Sequence, residues 1–142
     1  MGADHRARTL SVGPHERITI VRETPELLEL EAEYDPGGSP PPPHYHPSQD
    51  EHFEVLAGTV RCRIFDDERD LGTGQAIDVP RGVAHQFWNA GTEPARVRWE
   101  VRPALRAADF FERIARSRTP FGKLAAVLRH RREIRLLWPS RG

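Results

Sequence analysis

The chain has one cysteine, Cys62, so it cannot close an internal disulfide. Val60 and Ile64 alternate with Cys62 in a strand pattern, which predicts a buried, inert thiol. A charge surplus is also missing. Lys plus Arg and Asp plus Glu number 21 each, and this balance removes the global pull toward nucleic acid or an anionic membrane surface. No stretch approaches the roughly 20 apolar residues of a membrane span. Residues 1–10 are charged and lack the apolar run of a signal peptide. Together these absences lead us to expect a cytoplasmic protein with neither a nucleic-acid nor a membrane partner. No internal repeat is present, and 142 residues make one domain with a real core and no room for a second catalytic domain.

Neutral overall, the chain is divided in its charge. Residues 1–95 hold 8 basic and 17 acidic side chains, whereas residues 96–142 hold 13 basic and 4 acidic. The two parts attract one another, which predicts an arginine-rich tail lying against an acidic body or a partner subunit.

Strand patterns dominate up to about residue 102. Leu28, Leu30, Ala32 and Tyr34 alternate with Glu29, Glu31 and Glu33, and Val97, Trp99 and Val101 alternate with Arg96, Arg98, Glu100 and Arg102. This period of two marks strands with one buried and one wet face, and the opposite charges predict pairing between neighbouring strands. Further strands are expected at Ile18–Val21, around His44, and at Phe53–Leu56, Val60–Phe65, Gln75–Val79 and His85–Trp88, with Asp66–Arg69 as an exposed hairpin tip. Pro40–Pro43 is a stiff polyproline lead-in to the His44 strand. After Pro103 the period changes. Phe110, Phe111 and Ile114 fall at helical spacing, and Thr119-Pro120 reads as an N-cap and first residue of a second helix running through Leu124, Val127 and Leu128. Ile134–Trp138 is expected as a final strand or arm. The division is therefore an N-terminal arm (1–17), a β-barrel (18–103) and a helical segment with a tail (104–142).

The most informative residues are His44, His46, Glu51 and His85. His44 and His46 are two apart, so on an extended strand both point the same way. Glu51 follows the turn-like Pro47-Ser48-Gln49-Asp50 and can be aimed at the same spot. His85 joins them only if a barrel or sandwich folds. Three imidazoles and a carboxylate suit one divalent transition metal ion and leave coordination positions free for substrate, water or oxygen. Iron or manganese are the first expectation, with zinc, nickel or cobalt as alternatives.

The framing residues extend the pattern. The first stretch runs Gly38, His44, His46, Glu51, Gly58. The second runs Gly74, Pro80, Gly82, His85, Asn89. Both resemble the two signature motifs of the cupin superfamily, with all ten positions met. The resemblance implies an all-β fold, a cupin jelly-roll β-barrel, here with a short helical C-terminal extension, and a single cupin domain. It also implies a small-molecule substrate and, because cupin domains often pair, a homodimer formed through the tail.

Three functional classes follow from the resemblance. The leading one is a metal-dependent oxidoreductase similar to quercetinase-like dioxygenases, acting on an enolic or aromatic substrate. A non-oxidative isomerase, lyase or polyketide cyclase is the second, and a non-catalytic metal- or ligand-binding protein the third. Glu51 is a candidate general base as well as a ligand, because a carboxylate can loosen from the ion and take a proton. Strand alternation places Phe53 and Val55 on the Glu51 side and Phe87 on the His85 side as the expected substrate pocket. His52 should face away, and Trp88 should pack on the outer face or at an interface. Asn89 reads as a turn residue, and His5, His15 and His130 as exposed.

Overall fold

The computed structural model describes residues 8–137. His5 and Trp138 lie outside the described residues. Eleven strands and two helices are present among them, and the strands form two antiparallel sheets. In chain order the strands are β1 (Arg8–Gly13), β2 (Glu16–Glu23), β3 (Leu28–Tyr34), β4 (His44–Tyr45), β5 (Asp50–Ala57) and β6 (Thr59–Ile64). Next come β7 (Asp67–Gly72), β8 (Ala76–Val79), β9 (His85–Trp88) and β10 (Ala95–Arg102). Helices α1 (Ala107–Arg116) and α2 (Pro120–Arg129) precede the short β11 (Arg135–Leu136). One sheet has the order β1-β2-β3-β10-β5-β8 and the other β11-β4-β9-β6-β7. These facing sheets make the expected jelly roll.

The alternation expected of β3 and β10 is realised. Leu28, Leu30 and Ala32 are fully buried, as is Cys62 on β6, while the intervening charges face outward. Each fully buried leucine contributes roughly 1.5–3 kcal/mol relative to an exposed one. The charge rows pair differently from expectation. Arg98 stands opposite Glu31 in the β10–β3 register, yet its guanidinium reaches Glu54 on β5 at 2.6 Å, and Glu33 is taken by Arg17 of β2 at 3.4 Å.

Two local features need specific residues. At Gly58, φ is +78°, and a Cβ there would meet the Pro94 carbonyl oxygen at 2.5 Å, so only glycine fits the β5–β6 corner. Thr119 caps α2 as expected, its hydroxyl accepting the Gly122 N–H at 3.1 Å with Pro120 at the first helical position.

Three expectations are corrected. The stretch 66–69 is only partly a tip: the turn is at Phe65 and Asp66, and Asp67 already begins β7, an edge strand whose exposed charges discourage further pairing. The final strand is confined to Arg135–Leu136. His130 is 1% exposed rather than on the surface, because α2 folds back on α1 and brings the imidazole against Phe110, between Asp109 and Glu133. Trp88, on the outward parity of β9, is buried, with the Arg63 guanidinium over its ring at 5.5 Å.

Candidate metal centre

The two sheets supply different parts of one cluster. His44 on β4 stands directly opposite His85 on β9, and His46 follows at the end of β4. Glu51 comes from β5 in the facing sheet. One ligand atom from each of the three histidines falls within 4.8 Å of the others. The Glu51 Oε1 atom lies 3.0 Å from both His46 Nε2 and His85 Nε2. Glu51 and His85 are almost wholly buried, at 2% and 3% exposure.

All three imidazoles are held in the same tautomer. His44 Nδ1 is 3.1 Å from the Pro42 carbonyl oxygen, His46 Nδ1 is 2.5 Å from that of Glu133, and His85 Nδ1 is 2.9 Å from that of Val83. A carbonyl can only accept, so each Nδ1 carries the proton and each Nε2 presents a lone pair. Hydrogen-bonding the far nitrogen to a backbone carbonyl is the usual way a metal-ligating imidazole is oriented. On the near side, His46 Nε2 and Glu51 Oε1 are buried with no hydrogen-bond partner although they are 3.0 Å apart. Two buried acceptors at that distance are reconciled by a positive centre shared between them, a proton or a metal ion. The donor set therefore fits a divalent metal ion.

The same contacts shift the ionisation of these groups. Burial alone would raise the Glu51 carboxyl, but the His46 and His85 imidazoles outweigh it and hold the group well below the usual carboxylate range. Burial alone would lower His46, yet Glu51 and the Glu133 carbonyl raise it. His44 is pushed down to about 3 by burial, with the neighbouring imidazoles of His85 and His46 adding to the effect.

A cavity of about 440 Å³ opens over the imidazoles. Phe53, Phe87 and Trp99 wall its lower part, with Phe53 and Phe87 stacked at 4.1 Å between ring centres. Phe110 and Phe111 of α1, with Leu124 and Val127 of α2, contribute the helical side. Of the residues expected in the pocket, Phe53 and Phe87 line it, whereas Val55 is in the core and does not. Glu51 is absent from the lining: one oxygen faces the imidazoles, and the other accepts the Trp99 indole N–H at 2.7 Å. His52 points away and pairs with Asp78 at 2.7 Å.

Several contributors were not singled out from sequence. Trp99 was read only as a strand residue, and nothing in its neighbourhood distinguishes an indole that reaches a carboxylate from one that packs. The Glu133 carbonyl has no side-chain signature at all. Glu16 and Tyr34 also line the cavity; Tyr34 sits in an ordinary strand pattern, and Glu16 falls in the stretch expected as an N-terminal arm but begins β2.

A family model described as Cupin domain matches residues 30–101, half of the chain and the whole cluster. The chain is a cupin. Over 60 residues this cupin is 35% identical to the tetracenomycin polyketide synthase protein TcmJ of Streptomyces glaucescens, a match covering 42% of this chain and 40% of that protein. Over 60 residues it is 37% identical to protein SchB of Streptomyces halstedii, covering 42% of this chain and 44% of the relative. The matched stretch thus spans less than half the length of these curated relatives. Among solved structures, an RmlC-like cupin from Shewanella frigidimarina superposes with a TM-score of 0.64 at 16% identity, over 76% of this chain and 94% of the other. That likeness bears on the fold alone.

Proposed function

We propose that this cupin is a mononuclear metal-dependent enzyme acting without oxygen on a flat, oxygenated aromatic ketone of the polyketide kind, by enolisation leading to isomerisation or ring closure. The observation that carries the reading is the convergence of three Nε2 lone pairs at an aromatic-walled cavity of about 440 Å³. The similarity to a polyketide synthase protein supports the substrate class.

In this reading His44, His46, His85 and Glu51 hold the ion, with iron, manganese, zinc, nickel and cobalt all compatible with the donor set. When bound, such a cation would supply Lewis-acid stabilisation of an oxygen that gains negative charge. The protein does the rest. Pro42, Glu133 and Val83 carbonyls keep the imidazole lone pairs aimed inward, and Trp99 holds the second oxygen of Glu51. The Phe53 and Phe87 rings offer an apolar wall for an aromatic substrate and exclude water from the reacting carbon. A base role for Glu51 would require an oxygen to loosen from its resting contacts, where one accepts the Trp99 indole N–H and the other faces the imidazoles.

The oxidative, dioxygenase-like alternative uses the same ligands and free positions. Turnover of hydroxylated aromatic ketones by metal-loaded protein under argon and in air separates the two. Equal rates support the non-oxidative reading, and a strict requirement for oxygen with stoichiometric uptake overturns it. The expected homodimer belongs to the same proposal. Phe121 and Leu128 of α2 are 85% and 58% exposed, and we place the contact with a second copy on this face. Sedimentation of the parent beside Phe121→Ser/Leu128→Ser tests it, a monomeric parent removing the dimer. Among the described residues no helix is long and apolar enough to cross a membrane.

A further inference from the structure

Among the described residues, Glu16 is the only carboxyl-bearing one lining the cavity over the imidazoles. It is the first residue of β2 and stands directly opposite Tyr34 of β3 in the strand register. Both residues also line a neighbouring recess, shared with Pro40–Pro42 and with the exposed His15 and Ser39. The carboxyl thus has the substrate space on one side and a route to solvent on the other. We propose that Glu16 is the general acid–base of this site, moving a proton to and from the enolisable carbon of the bound aromatic ketone and exchanging it with water through the recess. The assignment rests on the enolisation reading above.

The balance closes without a further reactant. The Glu16 carboxylate accepts a proton from the carbon next to the carbonyl, and the C–H electron pair becomes the carbon–carbon double bond as the carbonyl oxygen takes the charge. The resulting carboxylic acid returns a proton to the rearranged product. Burial pushes this carboxyl up to about 7, with the Tyr34 hydroxyl offsetting part of the rise, so both forms are populated near neutrality, as an acid–base residue needs. The other ionisable groups sharing its cavity are Tyr34, Lys123 of α2 and the three imidazoles, while Asp35 in the recess is engaged by Arg17 at 3.0 Å.

The test uses zinc-loaded protein, diamagnetic and so readable by NMR, with 2′-hydroxyacetophenone as the probe in deuterium oxide. The rate of methyl hydrogen exchange is followed beside zinc content. The parent is expected to catalyse exchange, and Glu16→Gln to lose about 100-fold or more while keeping its zinc. Infrared difference spectra of the loaded protein should show a carboxyl titrating near pH 7 in the parent and not in Glu16→Gln. Tyr34→Phe should retain exchange with its pH midpoint moved upward, since the hydroxyl lowers the Glu16 value; a purely structural Glu16 would leave that midpoint in place. Parent-like exchange in a folded, zinc-bearing Glu16→Gln overturns the Glu16 assignment and leaves the enolisation reading standing. No exchange by the parent overturns the enolisation reading and the assignment with it. If Glu16→Gln fails to fold, an unshifted midpoint in Tyr34→Phe overturns the assignment alone.

Discussion

The Trp99 indole N–H donates to Glu51 Oε2 at 2.7 Å, across adjacent strands β10 and β5 and away from any solvent. One oxygen of the carboxylate is thereby fixed, which leaves the other facing the imidazoles. Trp99→Phe keeps an aromatic ring against Phe53 but strands that oxygen. Leaving a buried acceptor unpaired costs about 1–3 kcal/mol, and removing the partner of a metal ligand weakens affinity by roughly 10–100-fold. Urea unfolding of the metal-free protein and a chelator competition measure the two effects. Unchanged metal affinity in Trp99→Phe would sever this bond from the centre.

Metal binding should also be felt at the far end of the chain. His46 is held by the Glu133 carbonyl, and four residues on, the Leu137 N–H donates to the Pro43 carbonyl at 2.9 Å. An ion that immobilises His46 tightens this pairing. Hydrogen exchange at Leu137 is expected to slow by at least about threefold on adding one equivalent of zinc, because ligand binding suppresses opening by mass action. Identical exchange with and without metal would show that β11 is indifferent to the ion.

His44 gives a signed pH dependence. Its folded value of about 3 lies below the ordinary 6.5 because burial disfavours the imidazolium. The unfolded chain therefore takes up the proton first as pH falls. Stability contributed by the neutral imidazole is complete above about pH 6.5 and is lost progressively as pH falls toward 3. The stability difference between metal-free parent and His44→Gln, taken from urea midpoints at several pH values, should decline across that window. A difference that rises toward acid would reverse the assignment.

Asn89 is 1% exposed and does more than close a turn. Its amide donates to the carbonyls of Tyr34 and Glu93, at 3.2 and 2.7 Å, and its oxygen accepts the Gly91 N–H at 2.9 Å. Asn89→Ala leaves these groups without partners, and a loss of about 1–3 kcal/mol is expected. Metal content should be unchanged, since Asn89 touches none of the ligands. Calorimetric melting and elemental analysis of the same sample check both halves.

Much of the frame is legible in the sequence because its signals are local. The alternation in β3 and β10, the Thr119-Pro120 cap and the spacing of His44 and His46 depend on residues within a few positions of one another. What escapes is non-local or carried by backbone. Trp99 reaches Glu51 through sheet register, and the Glu133 carbonyl approaches His46 only after two helices have turned. His130 misled for the same reason, since a charged neighbourhood in sequence says nothing about a helix folding over it. The Arg96 to Arg102 row shows the limit of pattern: the charges face outward as expected, but the side-chain partner of Arg98 is set by which neighbouring strand its guanidinium can reach.

Glu133 lies 87 positions after His46, whose imidazole its carbonyl orients. During synthesis the four metal-facing side chains leave the ribosome well before the residue that aims one of them. A nascent chain arrested short of residue 133 lacks both β11 and the carbonyl that orients the His46 imidazole. The aiming of this imidazole therefore waits until the helical segment has been made and docked.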